Sequence, residues 1–172
     1  PPGGQYEPLL WSMIAEQSTV YLVTLRSDDA VGDDLADLDP DPEYQVHDVG
    51  FETPIRNVSG VIELVDWQAN IVVDTLNPLE RTDDRKRYVG FLTELKKHLE
   101  ATGSVGVLVA AKTDPVPPCR EYTLTIADVV WDLQTEVQRV RVEHDLTVRK
   151  FRGGDLPEQT IKLRLDREVS VD

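Results

Sequence analysis

The chain has 172 residues, enough for one domain with a sizeable core. Its formal charge of −14 repels nucleic acid and anionic lipid unless a local basic patch intervenes. Its one cysteine, Cys119, excludes an internal disulfide and any cysteine-based zinc cluster. The acidic surplus lies wholly in the first half: residues 1–80 hold 2 basic and 16 acidic side chains, and residues 81–172 hold 16 of each. His47, His98 and His144 share no metal-ligand spacing, so no metal is expected. No apolar run approaches the ~18 residues of a membrane span and no signal-peptide pattern opens the chain. The expectation is a cytoplasmic protein.

In chain order, Pro1-Pro2-Gly3-Gly4-Gln5-Tyr6-Glu7-Pro8 leads into an apolar helical pattern, with Pro8 suited to the first turn and the helix running to about Gln17. Thr19 to Leu25 is a continuous β-branched run, predicting a buried strand. Ser27 is placed to cap a helix that begins at Asp28. An acidic loop, Asp37 to Pro42, precedes a short strand at Tyr44–Val49, and Thr53-Pro54 opens a helix with Ile55, Val58, Ile62 and Val65 on one face. Asn70 to Leu76 predicts a second buried strand, broken by Asn77-Pro78. Asp83 to Thr102 predicts the clearest helix, with Tyr88, Phe91, Leu92, Leu95 and Leu99 on one face and Gly103 at its end. Ser104 to Ala111 predicts a third apolar strand, Tyr122 to Ala127 a short helix, and Val129 to Leu133 a fourth central strand. From Val140 to Arg149 apolar and polar residues alternate, the period of a half-exposed antiparallel strand. After a turn at Phe151 to Asp155, Ile161–Leu165 and Val169–Val171 close the chain as further strands.

The opening segment has the outline of a phosphate-binding loop, G-x-x-x-x-G-K-[ST], in which backbone N–H groups cradle phosphate, Lys neutralises it and the hydroxyl holds Mg²⁺. Gly3 and Gly4 retain the outline. Tyr6 falls where the Lys belongs and Glu7 where the Ser or Thr belongs, and a carboxylate there repels the phosphate it would have to hold. Asp74 ends a buried strand at the carboxyl edge of the sheet, where open α/β folds bind ligands; equally, it can cap the turn that follows. Lys150 and Arg152 can hold an anion, stay solvated, or pair with the acidic half of a neighbouring molecule. Arg81, Arg85, Lys86 and Arg87 read as a solvated helix face before they read as a phosphate site. Trp11, Trp67 and Trp131 read as core residues, and Ser12 and Ser27 have no His–Asp partners for nucleophilic catalysis.

The order of Ile71-Val72-Val73-Asp74-Thr75-Leu76, Ala127-Asp128-Val129-Val130 and Val148-Arg149-Lys150-Phe151-Arg152-Gly153 resembles the RecA-like ATPases of the KaiC-like branch, over nearly the whole chain. It is most similar to haloarchaeal RecA-superfamily, transducer-like (HTR-like) proteins. The preference for Arg and Asp is likewise similar to proteins of salt-loving archaea. The resemblance implies that Asp74 corresponds to the Walker B carboxylate, which supports Mg²⁺ through water. It implies that Lys150 and Arg152 correspond to a hairpin that reaches the nucleotide phosphates of a neighbouring subunit. It also implies a first strand before Pro1. Hydrolysing relatives carry Glu after the strand equivalent to Thr19–Leu25; this chain has Thr24-Leu25-Arg26-Ser27 and no carboxylate until Asp28.

The fold expected is therefore α/β, a single RecA-like P-loop NTPase domain over residues 1–172. It has a mainly parallel central sheet, helices on both faces and C-terminal antiparallel strands. Phosphoryl transfer rests on positioning and charge stabilisation, so loss of the loop Lys and hydroxyl and of the Glu is expected to nearly abolish turnover. The function expected is a non-catalytic regulatory or signal-transduction module that works by protein contact or self-association, with no cofactor. Gly3, Gly4, Asp74, Lys150 and Arg152 are the vestigial nucleotide contacts. One alternative is an oligomer that binds ATP with Mg²⁺ between Asp74 of one subunit and Lys150 and Arg152 of the next. Another is a DNA-binding module using the basic second half.

Overall fold

The structure, a computed structural model, describes residues 6–36, 43–50, 52–137, 142–157, 160–165 and 169–171. The chain divides into two compact units, one of residues 15–126 and the other of residues 1–14 with 127–172.

The first unit is built on a parallel four-stranded sheet in the order β2-β1-β3-β4. Its strands are β1 (Thr19–Val23), β2 (Tyr44–Asp48), β3 (Asn70–Asp74) and β4 (Val105–Val109). β1 and β3 are buried at every position, as their unbroken apolar runs require of interior parallel strands. One face of the sheet carries Val20, Leu22, Ile71 and Val73. It packs with Ile55, Val58 and Ile62 of α3 (Pro54–Ile62) and with Tyr88, Phe91, Leu92 and Leu95 of α5 (Arg85–Thr102) into a single core. Leu99 of α5 approaches β4 so closely that a Cβ on Gly106 would meet Leu99 Cδ1 at 2.6 Å. α2 (Asp28–Ala36) starts where Ser27 Oγ accepts from the backbone N–H of Ala30 at 3.2 Å, which satisfies one otherwise unpaired donor of the first turn.

The predicted strands at Thr19–Leu25 and Asn70–Leu76 end two residues earlier than their apolar runs. Leu25 is exposed, and Leu76 leads instead into a four-residue helix, α4 (Asn77–Glu80). Asn77-Pro78 breaks the strand as expected, but Pro78 also supplies the fixed φ that opens this helix. α5 ends as predicted, with Gly103 closing it at φ 68°, but begins two residues later than Asp83, because Asp84 caps it by accepting from the backbone N–H of Arg87 at 3.0 Å. α6 (Arg120–Ile126) begins two residues before the segment predicted.

The second unit contains α1 (Glu7–Ile14) and an antiparallel sheet in the order β5-β6-β7-β8. Its strands are β5 (Val129–Val137), β6 (Val142–Phe151), β7 (Ile161–Leu165) and β8 (Val169–Val171). Here the structure corrects the expectation for Val129–Leu133. These residues open β5 and pair with β6 rather than joining the parallel sheet. The reason lies just beyond Trp131: Asp132, Gln134 and Glu136 alternate with Leu133 and Thr135, so the strand as a whole has the period of a half-exposed antiparallel pair. The tryptophan expectation is corrected too. Trp67 and Trp131 are 40% and 43% exposed, and neither lies in the core. Residues Gly3, Gly4 and the loop Asp37 to Pro42 lie outside the described residues, as do Val140 and Arg141.

Candidate functional site

The carboxyl end of the parallel sheet is tied shut by side chains of β1 and β3. Paired residues of parallel strands share a face, so Tyr21, beside Val72, points to the same side as Asp74 two residues further on. The Tyr21 hydroxyl donates to Asp74 Oδ2 at 2.7 Å. Both residues are buried, Tyr21 fully and Asp74 to 1% exposure. A carboxylate removed from water in this way needs such a donor, because an unpaired buried charge is costly. The backbone repeats the closure. Thr24 N–H donates to the Asp74 carbonyl at 3.0 Å. Thr24 Oγ1 donates to the Thr75 carbonyl at 2.8 Å and accepts from Thr75 N–H at 3.1 Å. The Asp74–Thr75 peptide is cis.

The other predicted contacts divide between the two units. Asp74 belongs to the parallel-sheet unit, and Lys150 and Arg152 to the antiparallel one. Lys150 is the penultimate residue of β6, opposite Val130, and Arg152 begins the turn that follows. That turn is held by its own acid: Arg152 N–H donates to the Asp128 carbonyl at 2.8 Å, and Arg152 Nε lies 3.1 Å from Asp128 Oδ1. Arg149 is similarly engaged, with Nη2 2.8 Å from Asp132 Oδ2. At the start of α1, the Tyr6 carbonyl accepts the first helical bond, from Leu10 N–H at 3.0 Å. Glu7 sits in the first turn, where a carboxylate complements the positive end of the helix. The helix start that the motif reserves for phosphate thus carries its own anion. After β1, Arg26 pairs with Asp34, and Asp28 Oδ1 accepts from the next backbone N–H, that of Asp29.

A second buried polar cluster escaped the sequence reading. Glu80, on α4, is fully buried. Arg120 Nε donates to both of its oxygens at 2.8 and 2.7 Å, and Arg120 Nη2 lies 2.7 Å from Oε2. Thr123 Oγ1 donates to Oε1 at 2.7 Å, and the Tyr88 hydroxyl lies 2.7 Å from Thr123 Oγ1. Thr123 has one hydroxyl proton and gives it to Glu80, so Tyr88 must be the donor to Thr123. The chain Tyr88→Thr123→Glu80 therefore runs in one direction and ends on a charge. Burial pushes the Tyr88 phenol well above the ordinary tyrosine range, and the charge of Glu80 adds to the effect. Burial also raises the thiol of the adjacent Cys119, whose backbone N–H donates to the Glu80 carbonyl at 3.2 Å. A Glu at the end of a four-residue helix and an Arg forty residues later carry no shared pattern in sequence. The only local signal was Glu80 following Leu79 directly after the Asn77-Pro78 break.

Among the described residues, no group of three or more His, Cys, Asp or Glu side chains is placed to hold a metal ion, and no helix is long and apolar enough to cross a membrane.

Comparison with solved structures identifies the architecture. A KaiC-like protein, PH0186, from the hyperthermophilic archaeon Pyrococcus horikoshii OT3 superposes on 99% of this chain and 86% of its own, with a TM-score of 0.67 and 12% identity. At that identity the likeness shows the fold, a RecA-like α/β fold of the KaiC-like kind. No curated protein matches the chain. A family model matches residues 1–172, from first to last, and by that match the chain belongs to DUF7125, a family of unknown function.

Proposed function

We propose that this chain is a RecA/KaiC-like domain that has given up phosphoryl transfer and serves as a regulatory, signal-transducing interaction module. The observation that supports this reading best is the state of Asp74. The one carboxylate standing where the KaiC-like resemblance puts the Mg²⁺ ligand is buried and accepts a hydrogen bond from Tyr21 at 2.7 Å. To serve a hydrated Mg²⁺ it would have to admit water beside a carboxylate that is now 1% exposed, with one of its oxygens already held by the phenol. The opening of α1 agrees, because Glu7 opposes phosphate where a Lys–Ser or Lys–Thr pair would attract it. Contact with partners is assigned to the sheet edge and to the Lys150/Arg152 hairpin, whose cations can meet acidic protein surfaces, including the acid-rich first half of another copy. The preponderance of Asp and of Arg over Lys suits a cytoplasm of high salt, the setting we assign to it.

The test is calorimetric titration of the protein with Mg-ATP in molar KCl, with light scattering for mass. No binding heat from a folded protein is the expected result. Micromolar affinity that disappears in Asp74→Asn would overturn the reading and restore an ATP-binding site.

A further inference from the structure

The four cations Arg81, Arg85, Lys86 and Arg87 fall within seven residues, after a stretch of eighty that holds only two. Sequence alone reads them as a solvated face, neutralised along its own helix. The structure removes that support. α5 starts at Arg85, so the positions one turn beyond Arg85, Lys86 and Arg87 are Val89, Gly90 and Phe91, and none is an acid. All four cations are exposed. Elsewhere Arg26, Arg120, Arg149, Arg152 and Lys162 each pair with a carboxylate. Among the described residues, none of these four does.

Their placement is also electrostatically uphill. The first turn of a helix favours acids, and α5 has none there. A costly arrangement with no local compensation marks a place shaped by something outside the fold. The backbone of this turn is not the group on offer. Arg85 N–H donates to the Asp83 carbonyl at 3.2 Å, Arg87 N–H to Asp84 Oδ1 at 3.0 Å, and Tyr88 N–H to the Asp84 carbonyl at 3.1 Å. What meets solvent is a set of side chains, three guanidinium forks and one ammonium. Val89, 38% exposed, lies one turn beyond Arg85.

We propose that this surface docks a short acidic polypeptide segment of a partner protein, with carboxylates on the arginine forks and an apolar side chain against Val89. The proposal rests on the interaction-module reading and names one of its partners by chemistry. Charge complementarity selects an anion, and three observations select a polypeptide over nucleic acid. Asp83 and Asp84 are exposed within the patch and oppose any phosphate strand that crosses it. A single strand needs aromatic faces to stack on, and the aromatic residues of this stretch, Tyr88 and Phe91, are buried. A long polyanion would also run past the patch onto a chain of formal charge −14. High salt favours the same short occupant. At 1 M the Debye length is about 3 Å, which screens repulsion between an acidic segment and an acidic protein. Carboxylate–guanidinium contacts form at about 2.7–2.9 Å and are screened least.

The experiment follows the backbone amide resonances of the isotope-labelled 172-residue protein during titration with a capped heptapeptide, Asp-Leu-Asp-Glu-Leu-Asp-Glu. Its amide analogue, Asn-Leu-Asn-Gln-Leu-Asn-Gln, and an oligothymidylate of similar charge are the comparisons. The acidic peptide should give saturable shifts centred on residues 81–90, and the amide analogue none. Its affinity should fall less than about tenfold between 0.15 and 1 M KCl, far less than a nucleic-acid contact loses. The double change Arg85→Gln with Lys86→Gln should weaken binding about tenfold or more and leave the urea midpoint unchanged. Four results would each overturn the proposal: no saturable shift at residues 81–90, undiminished affinity in the double variant, tighter binding of the oligothymidylate, or a dimer of the protein itself that the double variant abolishes. Mg-ATP titration of the same double variant separates this surface from the reading it rests on. Nucleotide heat that survives the substitutions would remove the non-catalytic reading and leave the peptide result standing. Failure of the peptide with no nucleotide heat would remove this surface alone.

Discussion

Arg120 and Glu80 form the most consequential pair of side chains in the parallel-sheet unit, because neither can be removed alone without leaving the other in difficulty. Glu80 is fully buried, and Arg120 supplies its only cationic hydrogen bonds among the described contacts. Arg120→Met keeps most of the volume and removes the charge, so it should cost roughly 3–5 kcal/mol in urea unfolding. The double change Arg120→Met with Glu80→Gln should recover more than half of that loss, because the stranded charge is gone. If the double variant is as unstable as the single one, packing rather than charge explains the loss. The neighbouring groups predict an alkaline limit. The Tyr88 phenol and the Cys119 thiol are both raised in the folded chain above their ordinary values of 10.0 and 9.0. Between ordinary and raised values the unfolded chain releases protons that the folded chain keeps, so stability falls with rising pH. The fall should begin near pH 9 and steepen past pH 10. Tyr88→Phe should flatten the upper part of the curve, as read from urea midpoints between pH 8 and 11.

Among the elements, α5 is stabilised at both ends by residues that touch nothing else in the core. Asp84→Ala removes the acceptor for Arg87 N–H, and Gly103→Ala forces a Cβ into a left-handed backbone. Each should lower stability by about 1 kcal/mol, with additive effects, since the sites are five turns apart. The C-terminal end of this helix was legible in the sequence because the left-handed stop depends on a single residue type, Gly103; the start was read two residues early because Asp83 and Asp84 are both cap-forming residues. β1 and β3 were legible too, since their apolar runs admit no other burial. Val129–Leu133 was misassigned because five apolar-leaning residues fit either kind of sheet, and only the alternation beyond Trp131 decides between them. The Glu80–Arg120 cluster was invisible for a different reason: it depends on the path of the chain between α4 and α6, which no local period encodes. At the candidate site, Asp74 was legible as the end of a buried strand. Its engagement by Tyr21 was not, because β1 and β3 are adjacent only once the sheet order is known.

For the whole molecule, charge is the property with the broadest reach. The first half holds 16 acidic residues against 2 basic ones, so self-repulsion opposes compaction in dilute buffer. The Debye length shrinks from about 10 Å at 0.1 M salt to about 3 Å at 1 M. The melting temperature should therefore rise as KCl goes from 0.1 to 1 M and flatten above that. A melting temperature indifferent to KCl over this range would show that the acids are already compensated locally. The RecA-like architecture does not depend on this charge, since it is specified by β1, β3 and the α3 and α5 faces that cover them. That separation is consistent with a fold shared with a KaiC-like protein at only 12% identity.

Asn77 joins α4 to the end of β4 by copying a strand: its side-chain amide donates to the Ala111 carbonyl at 2.9 Å, and its carbonyl oxygen accepts from Ala111 N–H at 2.8 Å. Asparagine is ordinarily the least durable of side chains in an ageing protein, because the backbone nitrogen of the next residue attacks its amide and leaves aspartate behind. Here the next residue is Pro78, whose nitrogen carries no hydrogen and cannot close the cyclic imide. Pro78, whose fixed φ helps open α4, therefore also protects the clamp from the commonest chemistry of protein ageing. The bridge to Ala111 should keep both its donor and its acceptor for as long as the chain stays folded.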